Sequence, residues 1–270
     1  MHPMLNTAIK AARAAGGIIL RNIDRIDTLT ISAKSRNDFV SEVDRMAEAE
    51  IIRILGRAYP DHGFLGEESG STGSDTEYQW VIDPLDGTTN FLHGLPQFSV
   101  SIALRKGKHF EQAVVYDPLK DELFTATRGA GAQRNGRRIR VSNAKSLEGA
   151  LLGTGIPFRE DQDLELYLET LRVLVPGTAG VRRPGSAALD LAYVAAGRYD
   201  GFWEFGVNKW DIAAGILLVQ EAGGLVGDLY GGLDHYENGD ILCGSAKVYK
   251  GMLERLRGID ALQARARKRA

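Results

Sequence analysis

Trp80-Val81-Ile82-Asp83-Pro84-Leu85-Asp86-Gly87-Thr88-Thr89-Asn90 is the stretch that decides how the chain reads. An apolar run of strand type ends in one carboxylate, bends at a proline and presents a second carboxylate three residues on. It then turns through glycine into two hydroxyls and an amide. With Pro84 bending the chain between them, the Asp83 and Asp86 carboxylates and the Leu85 carbonyl can turn toward one point. Such a nest of hard oxygens suits Mg²⁺. Gly87 lets backbone approach a ligand closely, and Thr88, Thr89 and Asn90 would open a short helix whose unpaired amides attract an anion. Asp-Gly alone would read as a capped turn after a strand. The unbroken series of such residues points instead to a corner where metal and phosphate meet.

Working outward, Gly66-Glu67-Glu68-Ser69 follows the apolar Phe64-Leu65 and sets two more carboxylates at a strand end. By itself a Glu pair is a solvated loop. Downstream, Trp210-Asp211 precedes the apolar helix Ile212 to Val219, where Asp211 alone would read as an N-cap. Ser41 and Asp44 have capping-box spacing, with Asp in place of Glu, at the start of a helix.

The periodicity predicts a helix from Leu5 to Ile23 and another from about Ser41 to Arg57. Short strands follow at Tyr78 to Asp83, Phe98 to Leu104, Phe110 to Tyr116 and Glu122 to Thr127, then a hairpin through Asn135-Gly136 to Val141. Being consecutive, they predict antiparallel pairing. Beyond Asn143 the pattern alternates: helix Leu164 to Val175, helix Ser186 to Gly197, strand Gly201 to Phe205, helix Asp211 to Ala222, strands Leu225 to Asp228 and Ile241 to Gly244, and a final helix. The expectation is an α+β half over 1–143 and an α/β half over 144–270, packed tightly as one unit. No repeat, low-complexity tract or linker separates them.

The chain of 270 residues is 44% hydrophobic and 25% charged, as an ordinary globular protein is. Its net charge of −2 gives no general attraction to nucleic acid or anionic membrane, so any anion must be held locally. The single cysteine, Cys243, rules out an internal disulfide and a multi-cysteine zinc site, and fits a reducing, cytoplasmic setting. The start from Met1 to Arg13 lacks the pattern of a secretory signal, and no run reaches the roughly 18 apolar residues of a membrane span. The basic tail, with Arg265, Arg267, Lys268 and Arg269, reads as a solvated helix end.

Several chemistries find no motif: there is no G-x-x-x-x-G-K-[ST] loop, no H-E-x-x-H helix and no G-x-S-x-G elbow. His2, His62, His93, His109 and His235 are scattered and read as surface or packing residues, His93 being the one close to Asn90. Phe202, Trp203 and Phe205 read as strand packing around Glu204, not as a base-stacking platform. A phosphatase with an aspartyl nucleophile has a similar D-x-D-G-T signature, but here two residues, not one, separate the acids.

In order and separation, G-E-E at Gly66, D-P-L-D-G-T at Asp83 and W-D at Trp210 resemble the inositol monophosphatase family, over nearly the whole chain to about Leu256. The run Arg183 to Arg198 looks most like the bacterial extragenic-suppressor branch. The resemblance implies a layered αβαβα sandwich of the sugar phosphatase type shared with fructose-1,6-bisphosphatase. It also implies a homodimer, two or three Mg²⁺ ions, sensitivity to lithium and hydrolysis of a phosphomonoester, myo-inositol 1-phosphate first. Carried over, the metal ligands are Glu67, Asp83, the Leu85 carbonyl, Asp86 and Asp211, with Glu68 outside the set. Thr88, oriented by Asp44, and Glu67 would position the attacking water. Asp86, Gly87, Thr88, Thr89, Gly185, Ser186, Ala187, Glu204 and Asp211 would bind substrate, and Lys34 approximates a basic residue near the phosphate. Where some members have Cys and His before Trp-Asp, this chain has Asn208 and Lys209. Relatives in this branch are associated with ribosomal RNA antitermination through NusA, so the resemblance also implies a regulatory job with NusA or RNA polymerase as partner. Sugar bisphosphates and nucleotide phosphates are the other substrates it allows.

Overall fold

The computed structural model describes residues 2–28, 31–35, 38–73, 76–159 and 162–269. Helix α1 (Pro3–Asn22) begins at a proline, whose missing N–H costs nothing at a helix start, and His2 Nδ1 accepts the Met4 N–H at 3.2 Å. A hairpin of β1 (Ile31–Ser35) and β2 (Asp38–Ser41) leads into α2 (Glu42–Ala58). Then come β3 (Gly63–Gly66), β4 (Gly70–Thr72), β5 (Tyr78–Asp86), the short helix α3 (Thr88–Leu92), β6 (Ser99–Lys106), β7 (His109–Asp117), β8 (Glu122–Thr127), β9 (Gly131–Arg134) and β10 (Arg137–Arg138). These strands form an eight-stranded sheet in the order β10-β9-β8-β7-β6-β5-β3-β4. It is antiparallel except where β3 runs parallel to β5. Asn135 and Gly136 close the last hairpin with positive φ at both positions, 49° and 75°, as a two-residue turn of this hand requires.

The second half holds β11 (Leu151–Thr154), α4 (Leu164–Leu174), β12 (Gly180–Arg182), α5 (Ala187–Ala195), β13 (Gly201–Glu204), α6 (Lys209–Glu221), β14 (Leu225–Asp228), α7 (His235–Asn238), β15 (Ile241–Gly244), α8 (Ala246–Leu256) and α9 (Asp260–Arg269). Its five-stranded sheet has the order β12-β11-β13-β15-β14, with β11 parallel to both neighbours and β15 antiparallel to both of its own.

Alternation along the strands sorts side chains into three cores. Trp80, Ile82, Val100, Ile102, Leu104 and Val114 face α1 and α2, while Val81, Ala103, Ala113, Val115 and Phe124 face α5 and α6 on the other side of the same sheet. Phe202, Ile241 and Cys243 close that middle layer from the second sheet, and Leu152, Trp203 and Leu242 turn outward to α4 and α8. The result is a helix–sheet–helix–sheet–helix sandwich, as expected. Helix α6 buries every residue from Ile212 to Val219, because both of its sides meet a sheet. Each large apolar side chain fully buried in these layers stabilises the fold by about 1.5–3 kcal/mol.

Some elements depart from the sequence reading. Strands β1, β2, β4, β11 and β12 and helix α7 were not foreseen, the final helix is two helices, and the hairpin strand stops at Arg138, short of Val141. The first strand of the motif runs on through Asp86, as a bulged strand. The basic tail is not wholly solvated: Arg265 reaches the buried Asp240 carboxylate at 3.2 Å and lies over the Phe205 ring, 5.3 Å from its centre.

Candidate active site

The register of β5 against β6 shifts between Asp83, opposite Ser101, and Asp86, opposite Ser99. That irregularity at Pro84-Leu85 turns both acids to the same end of the sheet, where the Leu85 N–H donates to Asp83 Oδ1 at 2.9 Å. Gly87 follows with φ 98°, and a Cβ there would stand 2.9 Å from the Gln97 carbonyl oxygen, so only glycine fits the turn. Helix α3 then begins at Thr88, whose hydroxyl lies 2.9 Å from Asp44 Oδ1 on α2 and 3.0 Å from the Leu85 carbonyl oxygen. The Asn90 side-chain amide donates to the Gln97 and Pro184 carbonyls at 2.7 and 2.8 Å and so fastens α3 to the segment before α5.

A cavity of about 410 Å³ opens at this corner. Its wall includes Glu67 from the end of β3, Asp83, Leu85 and Asp86 from β5, Gly87, Thr88 and Thr89, Gly185, Ser186 and Ala187 before and within α5, Glu204 from β13 and Asp211 from α6. Asp44 is not on the wall and reaches the cavity through Thr88. Glu68 is also off the wall, and the Lys34 and Ser41 side chains lie outside the described residues.

Two expectations change in detail. Helix α6 starts at Lys209, not at Asp211, with Asn208 as its cap, and Asp211 Oδ2 accepts the Asn208 N–H at 2.8 Å. Ser186 donates its hydroxyl to Asp86 Oδ2 at 2.5 Å, and the Ala188 N–H joins it on the same oxygen at 2.8 Å. Asp86 is therefore pinned to the start of α5, which locks the two halves of the wall together. Of the pair before Trp210, Asn208 lines the cavity, whereas Lys209 turns out to Glu237 and the Tyr236 ring.

Four carboxylates crowd one buried space, and their acidity records it. Burial raises Asp83 well above the usual carboxylate range, with the charges of Glu67, Asp86 and Asp211 adding to it. Asp211 rises for the same reason, burial first and then Asp86 and Glu67. Burial lifts Asp86 to about 6, against the pull of its hydrogen bonds from Ser186 and the α5 backbone. Among the described residues no three His, Cys, Asp or Glu side chains are already drawn into a closed cage. An all-oxygen donor set whose members repel one another nevertheless fits a hard divalent cation, which would relieve the repulsion.

Sequence reasoning overlooked other parts of the wall: Thr154, Gly155, Phe158, Arg159, Arg183 and Asp190. Glu204 is packed so closely on Gly155 that any side chain there would overlap its carboxylate. Burial lifts Glu204 to about 7 despite the opposing charge of Arg183. Glu48 on α2 was also missed; its signal is a second acid one helical turn after Asp44.

A profile described as the inositol monophosphatase family matches residues 1–260. A Pseudomonas aeruginosa protein named Nus factor SuhB is 57% identical over 258 residues, covering 94% of this chain and 95% of that one. Its Escherichia coli K12 namesake is 54% identical, with 95% and 97% covered. Among solved structures, the extragenic suppressor protein suhB of Bartonella henselae superposes with a TM-score of 0.92 at 45% identity, over 96% of this chain and 100% of that one. The inositol monophosphatase of Anabaena (Nostoc) sp. PCC 7120 does so with 0.85 at 39%, over 96% and 97%. Layered fold, cavity wall and relatives agree: the chain belongs to the inositol monophosphatase family.

Proposed function

We propose that this chain is a Mg²⁺-dependent phosphomonoesterase that releases phosphate from myo-inositol 1-phosphate by direct attack of water. The observation that carries the reading is the convergence of Glu67, Asp83, Asp86 and Asp211, from three separate stretches of chain, on one cavity beside the Asp44–Thr88 pair. Glu67, Asp83, the Leu85 carbonyl, Asp86 and Asp211 would hold two or three ions. Bound Mg²⁺ would supply charge neutralisation at the phosphate and a more acidic water.

The chain's own residues do the positioning. Asp44 accepts a hydrogen bond from the Thr88 hydroxyl, which leaves the Thr88 oxygen as an acceptor for the attacking water, with Glu67 on the same wall as its second partner. Backbone amides from Gly87 to Thr89, on the cavity wall, would donate to phosphate oxygens. Glu204 and the Gly185–Ala187 segment face the alcohol. Little covalent chemistry is asked of the protein, since phosphoryl transfer is largely positioning and charge stabilisation.

Phosphate release from myo-inositol 1-phosphate against Mg²⁺ concentration tests this, with lithium as inhibitor and fructose 1,6-bisphosphate and a 3′-phosphonucleotide alongside. Fastest release from the inositol ester supports the reading. A faster bisphosphate or nucleotide keeps the reaction and replaces the substrate, and no release from any ester by folded protein overturns it.

A second reading is favoured by the relatives at 54–57% identity that are named Nus factor SuhB: a cytoplasmic homodimer that also joins the transcription machinery through NusA or RNA polymerase. Retention of those partners by an Asp83→Asn chain would support a role separate from catalysis, and loss of retention by folded wild type would remove it.

A further inference from the structure

Helix α5 buries Ala188 through Ala195, and in that apolar series stands one carboxyl group, Asp190, only 1% exposed. Its Oδ1 has no hydrogen-bond partner. A buried carboxyl without partners is costly wherever it sits, and an apolar residue of similar size would serve the packing of α5 better. Asp190 is at the same time part of the cavity wall, one helical turn beyond the Ser186–Ala187 start of α5. Burial most of all opposes its ionisation, the charges of Glu204 on β13 and Asp86 on β5 add to that, and Arg183 before α5 favours it. Tyr199 and Cys243 also lie within its field.

Asp190 shares the cavity wall with the residues assigned to metal, phosphate and alcohol. Gly87 to Thr89 and the four-acid cluster line one part of the wall; Glu204, packed on Gly155, and Asp190 line it too, and each feels the charge of Asp86. We propose that Asp190 is a substrate-binding residue that takes a hydroxyl group of the leaving alcohol on its unpartnered oxygen, so that with Glu204 it selects phosphomonoesters of polyhydroxylated alcohols. This rests on the phosphatase reading above and adds to Glu204 a second group for the alcohol half of the substrate. A hydroxyl suits the position because it both donates and accepts, and so satisfies the carboxyl in either protonation state.

The test compares two esters with Mg²⁺ present: myo-inositol 1-phosphate, rich in hydroxyls, and p-nitrophenyl phosphate, whose leaving group has none to offer. Asp190→Ala should raise KM for the inositol ester about tenfold, the size of one hydrogen bond, and Asp190→Asn by about threefold. Both should leave the aryl ester within about twofold, with kcat little changed on either. Should the alanine chain fail to fold, the near-isosteric Asp190→Asn decides alone. Equal losses on both esters would mark a residue that only supports the fold, and no change on either would mark one that touches nothing; each overturns the assignment alone. Wild type that turns over neither ester overturns the phosphatase reading and this assignment together.

Discussion

The carboxylate of Glu48 closes on the backbone of Ser69: Oε1 accepts the Ser69 N–H at 2.7 Å while Oε2 accepts that of Glu68 at 2.9 Å. Glu48 is 2% exposed, and a Cβ on Gly66 would stand 2.6 Å from its Oε2, so the turn after β3 is moulded around this one side chain. One helical turn earlier on α2, Asp44 holds Thr88. A single helix face thus fixes both Glu67, through its neighbours, and the threonine across the cavity.

Removing that clamp should loosen Glu67 without touching it. Glu48→Ala is expected to cost about 2 kcal/mol of stability, since two backbone donors lose a charged acceptor, and to weaken Mg²⁺ binding about tenfold, as loss of an outer-shell partner does. Chemical denaturation and calorimetric Mg²⁺ titration measure the two effects separately. A fall in stability with unchanged affinity would show that the turn holds Glu67 without Glu48.

Thr88 and Asp44 act as one unit in this geometry, so their losses should not add. Thr88→Val and Asp44→Asn should each lower kcat by about a hundredfold, and the double variant should fall little further. Steady-state rates of the four proteins at saturating Mg²⁺ complete the cycle, and full additivity would separate the two roles.

What the sequence made legible was local. Asp83 to Asn90 reads from neighbouring residues because strand, bend, glycine and hydroxyls follow one another within a few positions. The central helices read easily because α5 and α6 are apolar over long runs. Strand β11 did not, being four residues with a glycine inside, and β12 is a three-residue edge strand. The Asp86–Ser186 contact joins residues 100 apart, and no periodicity marks such a pair. Asp190 lay in plain view as the lone acid of an apolar helix, but only the packing of α5 against β13 gives it a cavity to face.

The acid cluster is built against stability, and a variant can reveal the cost. Asp211→Asn removes one of the like charges that raise Asp83 while keeping an oxygen to accept the Asn208 N–H. Without divalent ions its melting temperature should rise at pH 8, and turnover with Mg²⁺ should fall by at least about a hundredfold. Differential scanning fluorimetry in EDTA and a phosphate-release assay give the pair of readings. An unchanged or lower melting temperature would contradict the repulsion that the clustered acids imply.

Glu204 carries a pH signature of its own. Its ordinary pKa of 4.5 applies to the unfolded chain, and burial lifts it to about 7 in the folded one. Between those values the folded chain holds a proton that the unfolded chain has lost, so the contribution of Glu204 to stability falls as pH rises through this window. Glu204→Gln has no charge to bury. In EDTA it should match wild type near pH 4.5 and exceed it by on the order of 2 kcal/mol above pH 7, allowing for screening by the open cavity. The difference between two denaturation series across this range reports Glu204 together with its coupling to Asp190 and Asp211, the two acids that feel its charge. A difference that stays flat with pH would mean that the carboxylate keeps an ordinary acidity and reaches solvent through the cavity mouth.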